Sequence, residues 1–163
     1  EEFLDKNPEN GSAYTWWGVA LVKTKQLDLA IEKFEKASQF DQSNPRTYLY
    51  WGLTLAMQNN FNEAILKYRT TLQLDPENSN AYAYWGGALS NLEIYGESIS
   101  KLEKALELYP YNAIALRILI DAYYGTRQYD KAWQVVSQAR KGKVTLNGES
   151  LKRLREAMPE PSF

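Results

Sequence analysis

The sequence predicts an all-α solenoid of about four helical hairpins, and three observations carry this prediction. Residue types recur at intervals of 34 over most of the 163-residue chain. Inside each interval the apolar residues step by three and four positions, which is the periodicity of helices with one buried face. A short polar turn, Gln58-Asn59-Asn60, separates two such stretches in the second interval. Each interval is therefore expected to form two antiparallel helices.

The clearest repeated element is a Trp-Gly pair with an aromatic residue three positions before it and a leucine four positions after the Trp. The pairs are Trp17-Gly18, Trp51-Gly52 and Trp85-Gly86. The second half of the interval repeats at three further positions, namely Leu27, Phe61, Tyr95 and Tyr129; Ala30, Ala64, Ser98 and Ala132; and Ile31, Ile65, Ile99 and Trp133. Because Gly52 is expected opposite Ala64, the backbones of the two helices should approach closely.

The order of aromatic, large apolar, Gly, large apolar, then Ala, aromatic and Pro resembles the tetratricopeptide repeat. The resemblance covers four intervals, the last more weakly, which we number hairpins 1 to 4: residues 11–44, 45–78, 79–112 and 113–146. It implies a right-handed superhelix in which the first helix of each hairpin lines a concave, ligand-binding face. The family usually has Leu where this chain has the repeated Trp. Hairpin 4 departs further, with Leu116, Leu119 and Ile120 in place of Tyr, Trp and Gly, and its helices are expected to pack differently.

The two ends fall outside the four intervals. Residues 147–158 are predicted to form a capping helix, because Leu151, Leu154 and Met158 have helical spacing and terminal repeats need an apolar face covered. Residues 1–10 resemble the tail of a truncated preceding repeat. Residues 159–163 show no periodicity and are expected to be frayed.

The composition argues against several classes of function. Nineteen basic and twenty acidic residues give a net charge of -1, so no nucleic-acid partner is expected. Cysteine and histidine are both absent, and we predict no catalytic residue, metal ligand or cofactor, and no enzyme activity. No apolar run is long enough to suggest membrane insertion. The compartment stays open, with the cytoplasm favoured over the periplasm.

The concave face implied by the resemblance supplies the candidate binding residues. In hairpin 2 the first helix is apolar on two sides, and we predict an apolar groove that deepens toward hairpin 3. Its floor would be Leu49, Leu53 and Met57, its aromatic walls Trp16, Tyr50 and Tyr84, and its small residues Ala83 and Gly87. The alternative is that neighbouring first helices bury much of this stripe. Arg117 is a further candidate contact, although an ion pair with Asp121 one turn away explains it without a ligand and is favoured.

Two well-known ligand-binding devices of the family are missing from the matching positions. The carboxylate clamp would need Lys, Asn and Arg where this chain has Thr15, Val19, Tyr50, Asn80 and Tyr84. The asparagine ladder is replaced by Trp16, Tyr50, Tyr84 and Ile118. We therefore predict a protein-interaction scaffold that binds a peptide or partner helix in an apolar, aromatic-walled groove. The alternatives are a self-assembling scaffold and a docking domain of a larger enzyme.

Overall fold

The computed structural model describes residues 9–161, and all regular secondary structure in that range is helical. Nine α-helices lie within it: α1 (Gly11–Lys23), α2 (Leu27–Phe40), α3 (Pro45–Met57), α4 (Phe61–Leu74), α5 (Ser79–Asn91), α6 (Tyr95–Leu108), α7 (Ala113–Gly125), α8 (Tyr129–Lys141) and α9 (Gly148–Ala157). The all-α hairpin fold predicted from the sequence is confirmed. The predicted remnant of a preceding repeat falls mostly on residues 1–8, which lie outside the described range, as do residues 162 and 163.

The chain divides into two compact units between Glu77 and Asn78. In unit 1 the hairpins α1–α2 and α3–α4 stack, with α3 packed against both α1 and α2. In unit 2 the hairpins α5–α6 and α7–α8 stack in the same manner, with α7 against both α5 and α6. Helix α9 then packs on α7 and α8, in the place predicted for a cap. Within each unit, the first helix of the second hairpin therefore joins the two hairpins.

Asparagine begins the first helix of every hairpin. The N-cap residues Asn10, Asn44, Asn78 and Asn112 are 34 apart, and Asn147 caps α9. Each side-chain oxygen accepts a hydrogen bond from a backbone N–H two or three residues later, at 2.9 to 3.1 Å. These bonds satisfy amides that have no partner inside the helix. The caps thus fix where each first helix starts.

The turn inside each hairpin has a single geometry. One residue adopts a left-handed backbone with φ between 58° and 63°, at Lys25, Asn59, Glu93 and Arg127. The next amide donates to the carbonyl five residues back, at 2.8 to 3.0 Å. This bond satisfies a carbonyl at the end of the first helix, and it is the wider of the two bonds of a Schellman motif. Backbone bonding therefore holds the turn although none of the four residues is glycine.

A glycine against a large side chain sets the distance between the helices of hairpins 1 to 3. A Cβ atom on Gly18 would lie 2.6 Å from Phe34, on Gly52 2.6 Å from Tyr68, and on Gly86 2.6 Å from Leu102. These three large side chains are at most 1% exposed. On Gly52 the added carbon would also lie 3.1 Å from the Ala64 carbonyl, in agreement with the close approach expected there.

Hairpin 4 reverses this arrangement of sizes. Ile120 stands at the glycine position and Val136 at the position of the large side chain, and both are buried. Trp133 replaces the repeated isoleucine of the second helix and is 1% exposed. Its indole N–H donates to the Met158 carbonyl at 3.2 Å, so the helix pair is tied to the residue that follows α9. The different packing expected for hairpin 4 is present.

The segment after α9 has no regular secondary structure up to Pro161, yet it contacts the fold. Glu160 forms an ion pair with Arg140 of α8, and a second, longer contact of 4.0 Å with Arg155 of α9. Hydrogen bonding from Arg140 holds the pKa of the Glu160 carboxyl below its usual range. The described part of the predicted frayed tail is therefore attached by charge.

Replacing Gly52 with Ala should destabilise unit 1 by about 1 to 3 kcal/mol, because the new methyl group has no room beside buried Tyr68. Gly96→Ala is the matched control. It also lies in a helix, has no atom within 4 Å of the added carbon, and should be neutral or gain up to about 1 kcal/mol. Urea denaturation of both variants measures the difference. Equal stabilities would show that the glycine contact does not set the helix spacing.

Candidate functional site

Unit 1 presents an apolar surface on its first helices, which we call the aromatic face: Trp16, Tyr50, Leu53 and Met57. Trp16 is 54% exposed and Met57 48% exposed, while Tyr50 and Leu53 are half-buried. The Trp16 and Tyr50 rings lie 6.5 Å apart between centroids and are tilted by 48°. The three α3 residues share one side of the helix because they are spaced by three and four. The structure thus brings together four of the sequence-predicted site residues.

A buried pair of hydroxyl groups joins α1 and α3, the two helices that carry this face. The side-chain oxygens of Thr15 on α1 and Thr47 on α3 lie 2.7 Å apart, and both residues are at most 3% exposed. The Thr15 hydroxyl lies 3.1 Å from the Gly11 carbonyl, to which it can donate. With its proton used there, it accepts from Thr47, so both hydroxyls are satisfied. Trp16 follows Thr15 directly on α1.

Leu49 is too deeply buried for a ligand to contact much of its side chain. Leu49 was predicted to lie on the groove floor, but its side chain is only 8% exposed. Its burial agrees with the alternative interpretation, in which helix stacking covers part of the apolar stripe. The exposed part of the stripe in unit 1 is consequently the aromatic face.

In unit 2 the predicted residues Tyr84 and Gly87 are half-buried. A Cβ on Gly87 would lie 3.0 Å from the Ile118 side chain of α7, so Ile118 occupies the space that the small residue leaves. The structure therefore gives no open depression at this glycine. The predicted groove between hairpins 2 and 3 stays a prediction.

The prediction of an ion pair between Arg117 and Asp121 is wrong. Asp121 pairs with Arg153 of α9 at 3.2 Å, because α9 packs on α7 and brings its basic side chain within reach. The Arg117 Nε donates instead to the Ala113 carbonyl at 3.0 Å. Arg117 is exposed and lines a cavity of about 220 Å³ that also borders Ser150. Arg117 therefore stays a candidate ligand contact, but it is not paired with Asp121.

Each repeated tryptophan lies beneath a lysine of the second helix in its hairpin. Lys33 is 4.2 Å from the ring centroid of Trp17, Lys67 3.3 Å from Trp51, and Lys101 4.3 Å from Trp85. Such cation–π contacts are worth about 0.5 to 2 kcal/mol, more where water is excluded. These lysines were not predicted as ring contacts from the sequence, although they recur at the same interval of 34 as the tryptophans.

Hairpin 4 has neither member of this pair, and a cleft lies at that place. Leu119 and Val135 occupy the Trp and Lys positions, and both line a cleft of about 580 Å³ between α6 and α8. The Tyr123 hydroxyl donates to Glu103 at 2.5 Å on the cleft wall. Burial, together with this bond, raises the pKa of Tyr123 well above its usual range. We call this space the α6–α8 cleft.

The part of the chain that the structure describes contains neither a candidate metal site nor a candidate membrane-spanning helix. Between residues 9 and 161, no group of three or more potential protein ligands is arranged to hold a metal ion. None of the helices in the same range is both long enough and apolar enough to cross a membrane.

Comparison with known proteins agrees with the repeat pattern. The tetratricopeptide repeat family matches residues 1–45 and residues 45–78 in two separate alignments. The chain is a tetratricopeptide-repeat protein. No curated protein sequence matches it significantly. The family match ends at residue 78, so for the later hairpins the fold itself supports the assignment.

Solved structures of tetratricopeptide-repeat proteins resemble the chain over most of its length. PilF of Pseudomonas aeruginosa matches with a TM-score of 0.85 and 24% identity, over 96% of this chain and 72% of that one. YrrB, described as having an unusual peptide-binding site, matches with 0.74 and 18%, over 98% and 92%. The first repeat domain of Spaghetti (RPAP3), bound to the HSP90 peptide SRMEEVD, matches with 0.70 and 22%, over 72% and 94%.

These identities are low, so the structural likeness establishes the fold: an all-α solenoid of helical repeats. Tetratricopeptide repeats generally act as scaffolds for protein–protein interaction and not as enzymes. The family assignment therefore places the chain among interaction modules. It leaves open which surface binds and what it binds.

Tyr123→Phe should make stability less sensitive to alkaline pH. The folded protein keeps the phenol proton to a higher pH than the unfolded chain, whose tyrosines ionise near pH 10. The wild type should therefore lose this contribution to its free energy of unfolding as pH rises above about 10, whereas the variant has no such contribution to lose. Urea denaturation of both proteins at pH 8 and at pH 11 measures it. Identical pH dependence would contradict the assignment.

Proposed function

We propose that the chain binds a peptide or a helix of a partner protein through the aromatic face of unit 1. The observation that carries the proposal is the exposure of Trp16 beside Tyr50, with Met57 exposed on the same helix side as Tyr50. Large apolar side chains next to one another on a surface are typical of interaction sites. An aromatic pair supplies much contact area with few rotatable bonds to immobilise.

The chemistry of the face suggests which ligands it prefers. Its four side chains include no formal charge, so it suits apolar side chains presented by an amphipathic helix or an extended segment. YrrB and the RPAP3 domain, both similar in fold, are described with peptide sites or bound peptide, which supports peptide binding as a general use of this fold. The clamp positions here hold Thr15, Val19 and Tyr50 in unit 1, so a terminal carboxylate pair is not the proposed feature.

The remaining sequence-predicted residues have unequal roles in this proposal. Tyr84 and Arg117 stay proposed contacts in unit 2. Leu49 and Gly87 contribute little, because the first is buried and the second is covered by Ile118. Self-association and service as a docking domain of a larger enzyme stay predictions, and no contact in the described residues favours them.

Trp16→Ala should weaken binding of a peptide selected from a random library by about 2 kcal/mol, which is roughly thirtyfold in Kd. Leu66→Ala is the matched control, since Leu66 lies in unit 1, is 57% exposed, and belongs to a second helix. It should change Kd less than about twofold. Fluorescence polarisation with the labelled peptide measures both, and circular dichroism checks that helicity is unchanged.

A combined Tyr50→Ala and Leu53→Ala variant extends the test to α3. The proposal predicts a loss at least as large as that of Trp16→Ala, because both residues adjoin the exposed part of the face. Binding that survives all three substitutions would place the ligand on another surface and end the proposal.

A further inference from the structure

The first helices of unit 1, which carry the aromatic face, contain no acidic residue. Helix α1 has one charged side chain, Lys23, and helix α3 has one, Arg46. The second helices differ, since α2 and α4 each have a carboxylate in the first turn, at Asp28 and Glu63. The helix dipole favours a carboxylate at that place, yet α1 and α3 have none. The only formal charges on the two helices of the face are therefore positive.

Both cations lie on the same side of their helices as the aromatic face. Arg46 stands four positions before Tyr50 and eleven before Met57, and Lys23 stands seven positions after Trp16. These are spacings along one side of a helix. The Trp16 and Tyr50 rings, which are one repeat interval apart in sequence, lie beside each other. Lys23 is therefore level with Met57, which also follows it by one interval.

The two cations stand at opposite ends of the face. The Gln58 amide, just after α3, donates to the Asp28 carboxylate at the start of α2 at 2.7 Å, so α3 runs antiparallel to α2. Helix α1 is antiparallel to α2 as well, and α1 and α3 therefore run in the same direction. Arg46 lies in the first turn of α3 and Lys23 in the last turn of α1. Eleven residues of helix, or about 16 Å, separate these two levels.

Helix stability accounts for Lys23 and not for Arg46. A cation in the last turn of a helix is stabilised by the helix dipole, whereas a cation at the second position is disfavoured by it. Both side chains are exposed, and neither forms an ion pair with a residue that the structure describes. Arg46 consequently keeps an unpaired charge where the helix itself does not favour one.

The carboxylates near the Lys23 end are directed to other groups. Asp28 accepts the hydrogen bond from Gln58. Burial lowers the pKa of Lys67, and the charge of Glu63, one turn away on the same helix, opposes this effect. The turn after α1 adds a further exposed cation, Lys25. This end of the face therefore carries an excess of positive charge.

At the Arg46 end one of two nearby carboxylates is engaged. Asp41 accepts hydrogen bonds from the backbone and the hydroxyl of Ser43, at 3.0 and 2.8 Å. Glu9, just before α1, is exposed. Taken with Lys23 and Lys25 at the opposite end, the charge around the face favours a partner that carries acidic residues.

We propose that the partner bound by the aromatic face is an acidic amphipathic helix with a carboxylate at each end of its apolar stripe. This inference rests on the proposed function and names the class of partner. The apolar side chains would lie on the four residues of the aromatic face, one carboxylate would face Arg46, and the other would face Lys23. The two carboxylates would stand eleven positions apart, which spans the same distance of about 16 Å. They are side chains, so no chain terminus is required.

Three labelled helical peptides with blocked ends test the charge pattern. Each has sixteen residues, with leucine at the sixth, seventh, tenth and eleventh positions and alanine or glutamine elsewhere. The first has glutamate at the third and fourteenth positions, on the leucine side. The second has lysine at the same two positions. The third has its two glutamates at the fifth and twelfth positions, on the opposite side of the helix.

The first peptide should bind about tenfold more tightly than the second and about threefold more tightly than the third, by fluorescence polarisation at low salt. The third peptide has the charge of the first, so it separates position from net charge. Equal affinity for the first peptide and either of the others would overturn the proposal. Absence of binding by the first peptide would overturn it as well.

Arg46→Glu gives the second arm. It should weaken the first peptide about fivefold and strengthen the second, because a repulsive contact replaces an attractive one. The variant is expected to fold, since a carboxylate in the first turn is favoured, and circular dichroism checks this. Arg69→Glu is the matched control, because it makes the same charge change at an exposed side chain of α4. Equal effects of the two substitutions would contradict the proposal.

Lys23→Gln tests the other end with the same peptides, and it should lower the preference for the first over the second. An unchanged preference would count against a carboxylate at that end. Trp16→Ala separates this inference from the proposed function. If Trp16→Ala weakens all three peptides while the charge pattern has no effect, the aromatic face binds its partner and the acidic partner is wrong. If Trp16→Ala has no effect, the proposed function itself fails.

Discussion

The spacing of the helices depends on one contact, a glycine of the first helix against a large side chain of the second. Gly18, Gly52 and Gly86 allow an approach that any added carbon would prevent. The Trp–Lys pairs stand one residue earlier on both helices, so Trp17 and Lys33 flank the contact between Gly18 and Phe34. Bringing the backbones together therefore also brings each lysine over its ring. Core packing and surface electrostatics share one geometric cause.

In hairpin 4 both the glycine contact of the core and the Trp–Lys pair beside it are replaced. Where Ile120 and Val136 reverse the sizes in the core, Leu119 and Val135 replace the pair beside it. Two aliphatic residues fill less volume than an indole under a lysine stem, and the Gln138–Pro110 bond joins one end of the space. A cleft then follows from side-chain length, with no change in the order of the helices. In the same hairpin Trp133 is buried and donates its indole N–H to the Met158 carbonyl, just after α9.

Much of the fold could be predicted because the same pattern of residue types occurs in several successive hairpins. The helices, their pairing and the close approach at Gly52 are all local consequences of the pattern. The asparagine caps and the lysines over the rings also recur at 34, but the repeat alone does not say which group a polar side chain contacts. Other features depend on groups far apart in sequence. The pairing of Asp121 with Arg153 requires knowing how α9 docks, and the coverage of Gly87 requires the rotamer of Ile118.

The turn residues with left-handed backbone have a consequence for how such a repeat can diversify. Lys25, Asn59, Glu93 and Arg127 include positive, neutral and negative side chains, all are exposed, and all adopt nearly the same φ. Since backbone hydrogen bonds hold the turn, four different side chains are compatible with the same geometry. The tips of the hairpins can therefore change in charge from one repeat to the next while the core stays constant. One end of every hairpin is an independent position for tuning the electric field of the molecule.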